Sequence, residues 1–346
     1  MKRVWTLVSS AVLVIVMAVA IAVTPTNFVA WAPGPTVALL GPAGSQPIFQ
    51  IAGREPSGLA GQIMTTSMTQ TGQTSALTLP FLVMDYFLPN HNVLPRDTVY
   101  PSGQSTSEAT DAHRQDIQAS RAEAMAAGVK QAGITVVERP SVTAVRQNGP
   151  SNQLLLPGDF ILAIDGTTMN TTNDIRQYIR NKQVGDQVVV TVLRGNTTLQ
   201  VTIPKLAGSS TDGTVPTLGI TGGTGYSYPV TIQFDQDVDQ GDTAQGLALA
   251  LATYVILADD ADISGLTMAA VGNISAAGDV SAVSGINEHA ISAWQGHATI
   301  LFIPQANCSE IADQTNGMAI VPVTSLSDAV SALHNHIANG TAWPHC

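Results

Sequence analysis

The sequence predicts a multidomain protein of the α/β (α+β) class with a single N-terminal transmembrane helix, and three observations carry that expectation. Val4 to Val23 is an uncharged run of 20 residues preceded by Lys2 and Arg3. The middle of the chain is a compact block of short strand-like segments with turn signals between them. The last third alternates strand-like and helix-like apolar segments, as a mixed α/β core does. A length of 346 residues leaves room for two or three domains.

The Val4–Val23 run, at about 1.5 Å per residue, spans roughly 30 Å of hydrocarbon. Lys2 and Arg3 before it favour a cytoplasmic N-terminus. The expected localisation is therefore the cell membrane, single-pass, with everything after residue 23 extracytoplasmic. The competing reading is a cleaved signal peptide, for which Ala18-Val19-Ala20 offers small residues. The run is longer than the usual ~7–15-residue apolar region of such peptides, which favours a retained anchor over residues 1–27. Leu247 to Leu257 is also apolar but too short to span, and reads as a buried helix.

A lead-in of strands plus one long helix is expected over 28–133. Asn27 to Gly44 is rich in Pro, Gly and small residues and reads as extended chain. Pro47–Ala52 and Gln62–Thr71 alternate like strands. Leu79–Leu88 is an apolar and aromatic stretch expected to pack on them. Ser105–Gly133 is expected to be helical, capped by Ser107 with Glu108 in the first turn, and with Ala119, Ala122, Ala126 and Val129 at helical spacing.

The strand-rich block covers 134–205. Ile134–Val137 and Val142–Val145 read as strands separated by Pro140. Leu154-Leu155-Leu156-Pro157-Gly158-Asp159 leads into the strand Phe160–Ile164 and the turn Asp165-Gly166. Asn173–Lys182 is amphipathic, with Ile175 and Ile179 on one face. Gln187–Leu193 and Thr198–Ile203 flank Arg194-Gly195-Asn196, a hairpin signal. This succession resembles a PDZ-like β-barrel module of the protease-associated kind, on the Leu-Leu-Pro-Gly-Asp-Phe-Ile-Leu-Ala-Ile-Asp-Gly run and the later Val-Leu-Arg-Gly hairpin. The resemblance implies capture of unfolded or C-terminal peptide segments as an added strand. The groove would lie between Ile134, Thr135, Val136 and Val137 on one side and Ile175 and Ile179 on the other. The carboxylate-binding loop of that family is not recognisable, and a purely structural module is the alternative.

Residues 206–227 are rich in Gly, Ser and Thr and read as a linker ending in a short strand. The segment 228–338 has strands at Pro229–Phe234, Leu266–Val271, Ala298–Ile303 and Ile320–Val323. Its helices are Leu247–Leu257, His289–Gln295 and Leu326–Ile337, and residues 339–346 form a tail. This region resembles the α/β proteolytic domain of Lon-type serine proteases. With Ala32-Pro33-Gly34-Pro35-Thr36 and Leu94-Pro95-Arg96-Asp97-Thr98-Val99-Tyr100-Pro101, the whole chain is similar to bacterial membrane-anchored Lon-like proteins that carry a PDZ module. The resemblance places Ala244, within Asp242-Thr243-Ala244-Gln245-Gly246, where the family has its nucleophilic serine. It places His289, after Ser284-Gly285-Ile286-Asn287-Glu288, where the family has its lysine base.

A Ser–Lys dyad needs an oxygen nucleophile and an amine able to take its proton. Ala244 supplies no nucleophile. All 14 Lys and Arg lie at or before Lys205, and the 141 residues from Leu206 to Cys346 hold 13 acidic residues and no Lys or Arg. No substitute lysine is therefore at hand. The expectation is a proteolytically inactive member of the family that acts as a binding or scaffold protein. The alternative is an endopeptidase using Thr243 with His289 as base, its imidazole oriented by Asp242 or Glu288. Rings are usual in Lon-type domains, so the resemblance implies a homo-oligomer or assembly with an active paralogue.

Other chemistry is not expected. The net charge of -11 argues against nucleic acid. There is no phosphate loop and hence no ATP site, and no cofactor is implied. His334, His336 and His345 lack zinc-ligand spacing. Asp235, Asp237, Asp239 and Asp242 lack the Gly and distal Glu of a calcium loop, so no metal site is assigned. Cys308 and Cys346 can pair in an oxidising compartment, with two buried thiols as the alternative.

Overall fold

A computed structural model describes residues 2–40, 49–53, 61–72, 75, 77–88, 90–100, 106–208, 213–234, 242–258, 263–311 and 317–346. The chain folds as two units: residues 1–132 together with 230–346, and residues 133–229 between them in sequence.

The larger unit begins with helix α1 (Lys2–Val23), whose described side chains are all exposed. Those side chains run continuously only from Val8 to Val23, and among the described residues no helix is long and apolar enough to cross a membrane. Six short strands follow: β1 (Phe28–Pro33), β2 (Val37–Leu40), β3 (Phe49–Ile51), β4 (Gln62–Thr65), β5 (Met68–Gln70) and β6 (Asn92–Pro95). Between β5 and β6 lies α2 (Leu79–Phe87), and after β6 come the single turn α3 (Arg96–Val99) and the long α4 (Thr106–Gln131). The expected cap and first turn of α4, Ser107 and Glu108, fall outside the described side chains.

The smaller unit holds β7 (Val137–Val145), β8 (Phe160–Ile164), β9 (Thr167–Thr168), α5 (Thr172–Arg180), β10 (Val188–Arg194), β11 (Thr197–Ile203), β12 (Ala207–Gly208), β13 (Pro216–Thr217) and β14 (Ile220–Ser227). Its main sheet runs β11-β10-β8-β7-β14, with β9 paired to β8. Asp165 (φ 48) and Gly166 (φ 79) both take positive φ between β8 and β9, the geometry of a tight primed hairpin turn. The core beneath the sheet comprises Val142, Leu155, Ile161, Ile164, Val190 and Ile203 with Ile175 and Ile179 of α5.

The chain then completes the larger unit with β15 (Ile232–Phe234), α6 (Gly246–Leu257), β16 (Thr267–Ala270), β17 (Asn273–Ile274), β18 (Val280–Ser281), α7 (Ile286–Gln295), β19 (Ile300–Pro304), β20 (Ala319–Val323) and α8 (Leu326–Asn339). The central sheet, β2-β4-β16-β19-β20, is parallel except for the β2–β4 pair. Every residue of α6 is buried, which explains its all-round apolar sequence. Helix α4 crosses α6 at Gly128, where a Cβ would meet Ala250 O and Thr253 Cβ at 2.5 Å each, so only glycine allows this approach.

Several expectations change. The lead-in 28–133 and the segment 228–338 are not separate domains: β4 pairs in parallel with β16, so one sheet needs strands from both. Residues 206–227 are not a linker, because they form β12, β13 and the eight-residue β14 that pairs along β7. The module is an open sheet with edges at β11 and β14 rather than a barrel. Pro140 does not break β7; its missing N–H lies beside the single pair, Ser141 with Phe160, through which β7 meets β8. Asn27–Gly44 holds β1 and β2. The Leu79–Leu88 stretch buries none of its helical residues. The cysteines follow the paired reading: Cys346 is disulfide-bonded to Cys308, which ties down the 339–346 tail, and Trp343 stacks on His336.

Candidate functional site

In the smaller unit, Thr171 caps α5. Its hydroxyl accepts the Asp174 N–H at 3.1 Å, while Asp174 Oδ2 accepts the Thr171 N–H at 2.9 Å. The backbone N–H groups of Thr171 and Asn170 hold the Asp174 carboxyl below its ordinary pKa. The cap fixes the rotation of α5, so that Ile175 and Ile179, one turn apart, face the same way.

Those two isoleucines form the floor of a cavity of about 300 Å³. Its helix side adds Thr172, Arg176 and Arg180; its other wall is Val215–Leu218, Ile220 and Gly222. This wall is β13 and the start of β14, and β14 is an edge of its sheet. One side of β14 pairs with β7, and among the described residues no strand pairs with its other side, the arrangement that can accept a further strand. Gly219, just before β14, has φ 72, and a Cβ there would lie 2.7 Å from Pro150 Cδ. The turn into the groove wall therefore requires glycine.

Of the residues expected to bind peptide, Ile175 and Ile179 line this cavity. Ile134, Thr135 and Val136 precede β7, and Val137 is its first residue; none of the four lines the cavity. The physical reason is placement: the strand segments beside Ile175 and Ile179 are β13 and the start of β14, while Val137 pairs with Ser227 at the far end of β14. The wall that the sequence reading missed carries a weak signal, the apolar alternation Leu218-Gly219-Ile220 at the end of a Gly/Thr-rich stretch.

Elsewhere in the same unit, Asp159 is 1% exposed and receives Arg194 Nε and Nη2, each at 2.7 Å, and the Leu156 N–H at 2.8 Å. Burial alone would raise the Asp159 pKa, but Arg194 and the Leu156 N–H hold it below the ordinary value. This pair pins the Leu-Leu-Pro-Gly-Asp loop to the β10–β11 hairpin.

The family model described as PDZ domain matches residues 104–204. The chain carries a PDZ domain. The matched stretch stops short of β14, although the compact unit runs on to Pro229. The PDZ domain of the SdrC-like protein of Listeria monocytogenes is 32% identical over 24% of this chain and 86% of that one, with a TM-score of 0.23. Its Listeria innocua counterpart is 30% identical over 24% and 92%, with a TM-score of 0.23. A protein of Geobacillus thermodenitrificans is 36% identical over 23% and 92%, with a TM-score of 0.22. No curated protein matches the chain.

The larger unit has a cleft of its own, a cavity of about 680 Å³ lined by residues that include Trp31, Met68, Leu94, Asp242, Thr243 and Ala244. Asp242 Oδ1 accepts the Ala244 N–H at 3.0 Å, which starts the turn into α6. The His289 side chain is fully buried and does not line the cleft. Its Nδ1 lies 2.9 Å from Thr66 Oγ1, and its Nε2 lies 3.4 Å from Asp242 Oδ2. That second contact is a close approach without hydrogen-bond geometry, and it leaves the buried Nε2 with no hydrogen-bond partner. Burial would raise the Asp242 pKa, but His289, the Ala244 N–H and the more distant His113 keep it below the ordinary value. Glu288 faces away from the imidazole, to the Asn92 amide. Thus Thr243 is on the cleft wall, while both nitrogens of the imidazole are directed at Thr66 and Asp242.

Among the described residues no group of His, Cys, Asp and Glu is arranged to hold a metal. His334 Nε2 is 3.3 Å from Tyr254 OH, and His336 Nδ1 is 2.8 Å from Thr341 O. Asp235, Asp237 and Asp239 lie outside the described residues.

Proposed function

We propose that this chain is a membrane-anchored, extracytoplasmic peptide-binding protein in which the PDZ groove takes up an extended peptide as an added strand along β14, beside α5. The observation that carries this reading is the sheet edge that β14 forms among the described residues, where Ile220 and Gly222 stand across the cavity from Ile175 and Ile179. Main-chain pairing supplies affinity and side-chain pockets supply selection. The uncharged run at Val4–Val23 supports the anchor, and the Cys308–Cys346 disulfide fits an oxidising compartment.

The test is selection of random C-terminal decapeptides displayed on phage against the full chain in lipid nanodiscs. Peptides with apolar alternate positions are expected to be enriched. Val215 is 40% exposed on the groove wall, so Val215→Asp spares the core and sets a carboxylate into the peptide's path. Selected peptides should lose at least about tenfold in affinity, ~1.4 kcal/mol, on this variant. Equal binding by both forms removes the groove as the site.

In the same proposal, residues 228–338 together with the lead-in are a Lon-protease-like domain that has lost its chemistry. Support comes from Ala244 at the serine position and from a buried His289 already engaged by Thr66 and Asp242. The unmodified chain is expected to leave unfolded casein intact and to escape labelling by a fluorophosphonate. Cleavage that disappears in Thr243→Ala would establish the peptidase reading instead.

A further inference from the structure

Helix α2 has no part in either site, and its surface is unusual for a domain in water. Of the ten residues 79–88, only Leu82 and Asp85 are not exposed. Phe81 is 58% exposed, Met84 49%, Tyr86 70% and Phe87 77%, and Phe28, the first residue of β1, is 40% exposed. The one ionisable carboxylate of the helix is turned inward: Asp85 Oδ1 meets His91 Nδ1 at 3.0 Å. Leu82 and Asp85, three apart, mark the face that rests on the body of the unit. The rest of the helix presents a continuous apolar and aromatic surface, more than scattered surface hydrophobics account for.

The position of α2 says what covers that surface. Helix α1 ends at Val23, and the chain is at once tied to the start of α2: Pro25 forms a bridge with Thr78, while Thr26 N and Oγ1 donate to Leu77 O at 2.9 and 2.6 Å. The two helices touch. A nine-residue helix is only about 14 Å long. Whatever medium surrounds the end of α1 therefore reaches α2.

We infer that α2 is a membrane-interface helix, which inserts its exposed aromatic face into the lipid headgroup region beside the point where α1 leaves the bilayer. The inference rests on the reading of α1 as an anchor. Aromatic rings with an apolar body and, in Tyr86, a polar tip are suited to that layer. The helix has no Lys or Arg, so docking depends on apolar insertion and not on anionic lipid. Its role is to set the larger unit down against the membrane on one defined side.

The test uses the full chain reconstituted into phosphatidylcholine vesicles. Cys308 and Cys346 are paired, so a cysteine introduced by Phe87→Cys is the reactive thiol and takes an environment-sensitive fluorophore. Ser331→Cys, on the exposed side of α8, is the control. The Phe87→Cys label should shift to shorter wavelength and lose intensity to lipids carrying a nitroxide near the headgroup, more than to lipids carrying it at the bilayer centre. The control label should stay aqueous. A chain that floats with the vesicles but keeps the Phe87→Cys label aqueous overturns the inference and leaves the anchor standing. A shifted label that no lipid nitroxide quenches means that protein covers α2, and also overturns it. A chain that does not float overturns both readings.

Discussion

Replacing Cys308 and Cys346 together by serine should lower the stability of the larger unit by roughly 3–4 kcal/mol. The bridge closes a loop of 38 residues with a Cα–Cα distance of 5.4 Å. Chain-entropy reasoning for such a loop gives about 4 kcal/mol, the upper end of what is usually measured. That is a large share of the ~5–15 kcal/mol by which domains are stable. The bridge also fixes the tail, where Trp343 stacks on His336 at 4.1 Å and meets Phe302 edge-on at 6.0 Å. The variant should show a lower denaturation midpoint and red-shifted tryptophan emission as Trp343 gains solvent. An unchanged midpoint would mean that the tail contacts hold without the bridge.

The second large effect concerns the PDZ domain. Arg194→Ala leaves the Asp159 carboxylate with the Leu156 N–H but without the two charged donors. Removing one member of a buried pair costs about 3–5 kcal/mol; because the Arg194 side chain is 34% exposed, a value of about 2–3 kcal/mol is expected. All four tryptophans, Trp5, Trp31, Trp294 and Trp343, lie in the larger unit, so emission will not report this loss. Amide exchange in β8 and β10 will. The effect has a pH signature. The folded-state pKa of Asp159 is depressed, so its contribution is in place above the ordinary carboxylate value of about 3.9 and is lost as pH falls through the folded value. The difference between variant and parent should thus be full at pH 7 and shrink below about pH 4. A difference independent of pH would contradict the ion-pair account.

Much of the secondary structure was legible, for local reasons. The all-round apolar Leu247–Leu257 run gave α6, and Asp165-Gly166 and Arg194-Gly195-Asn196 marked their hairpins, because helix burial and turn chemistry are written in neighbouring residues. What could not be read was pairing between distant segments. Nothing local tells β4 that its parallel neighbour is β16, some 200 residues on, and so one discontinuous unit was read as two domains. The same blindness moved the groove wall. Spacing puts Ile175 and Ile179 on one face of α5, and both line the cavity, but the opposite wall is β13 and β14, which a Gly/Thr-rich stretch hides, and not Ile134–Val137. The Leu79–Leu88 segment shows a further limit: apolar sequence reports what prefers to leave water, not whether protein receives it. For the second cleft, the absence of any Lys or Arg after Lys205 is plain from composition alone. The partnership of His289 with Thr66 is not, because those residues lie 223 positions apart.

The central claim is that peptide joins the sheet at β14. The most direct measurement is hydrogen exchange of the full chain, followed by mass spectrometry, with and without a peptide taken from the C-terminal selection. The account predicts slowed exchange confined to Val215–Ser227 and α5, with 134–137 and the cleft at 242–244 unchanged. Protection at 242–244, or none along β14, would contradict it.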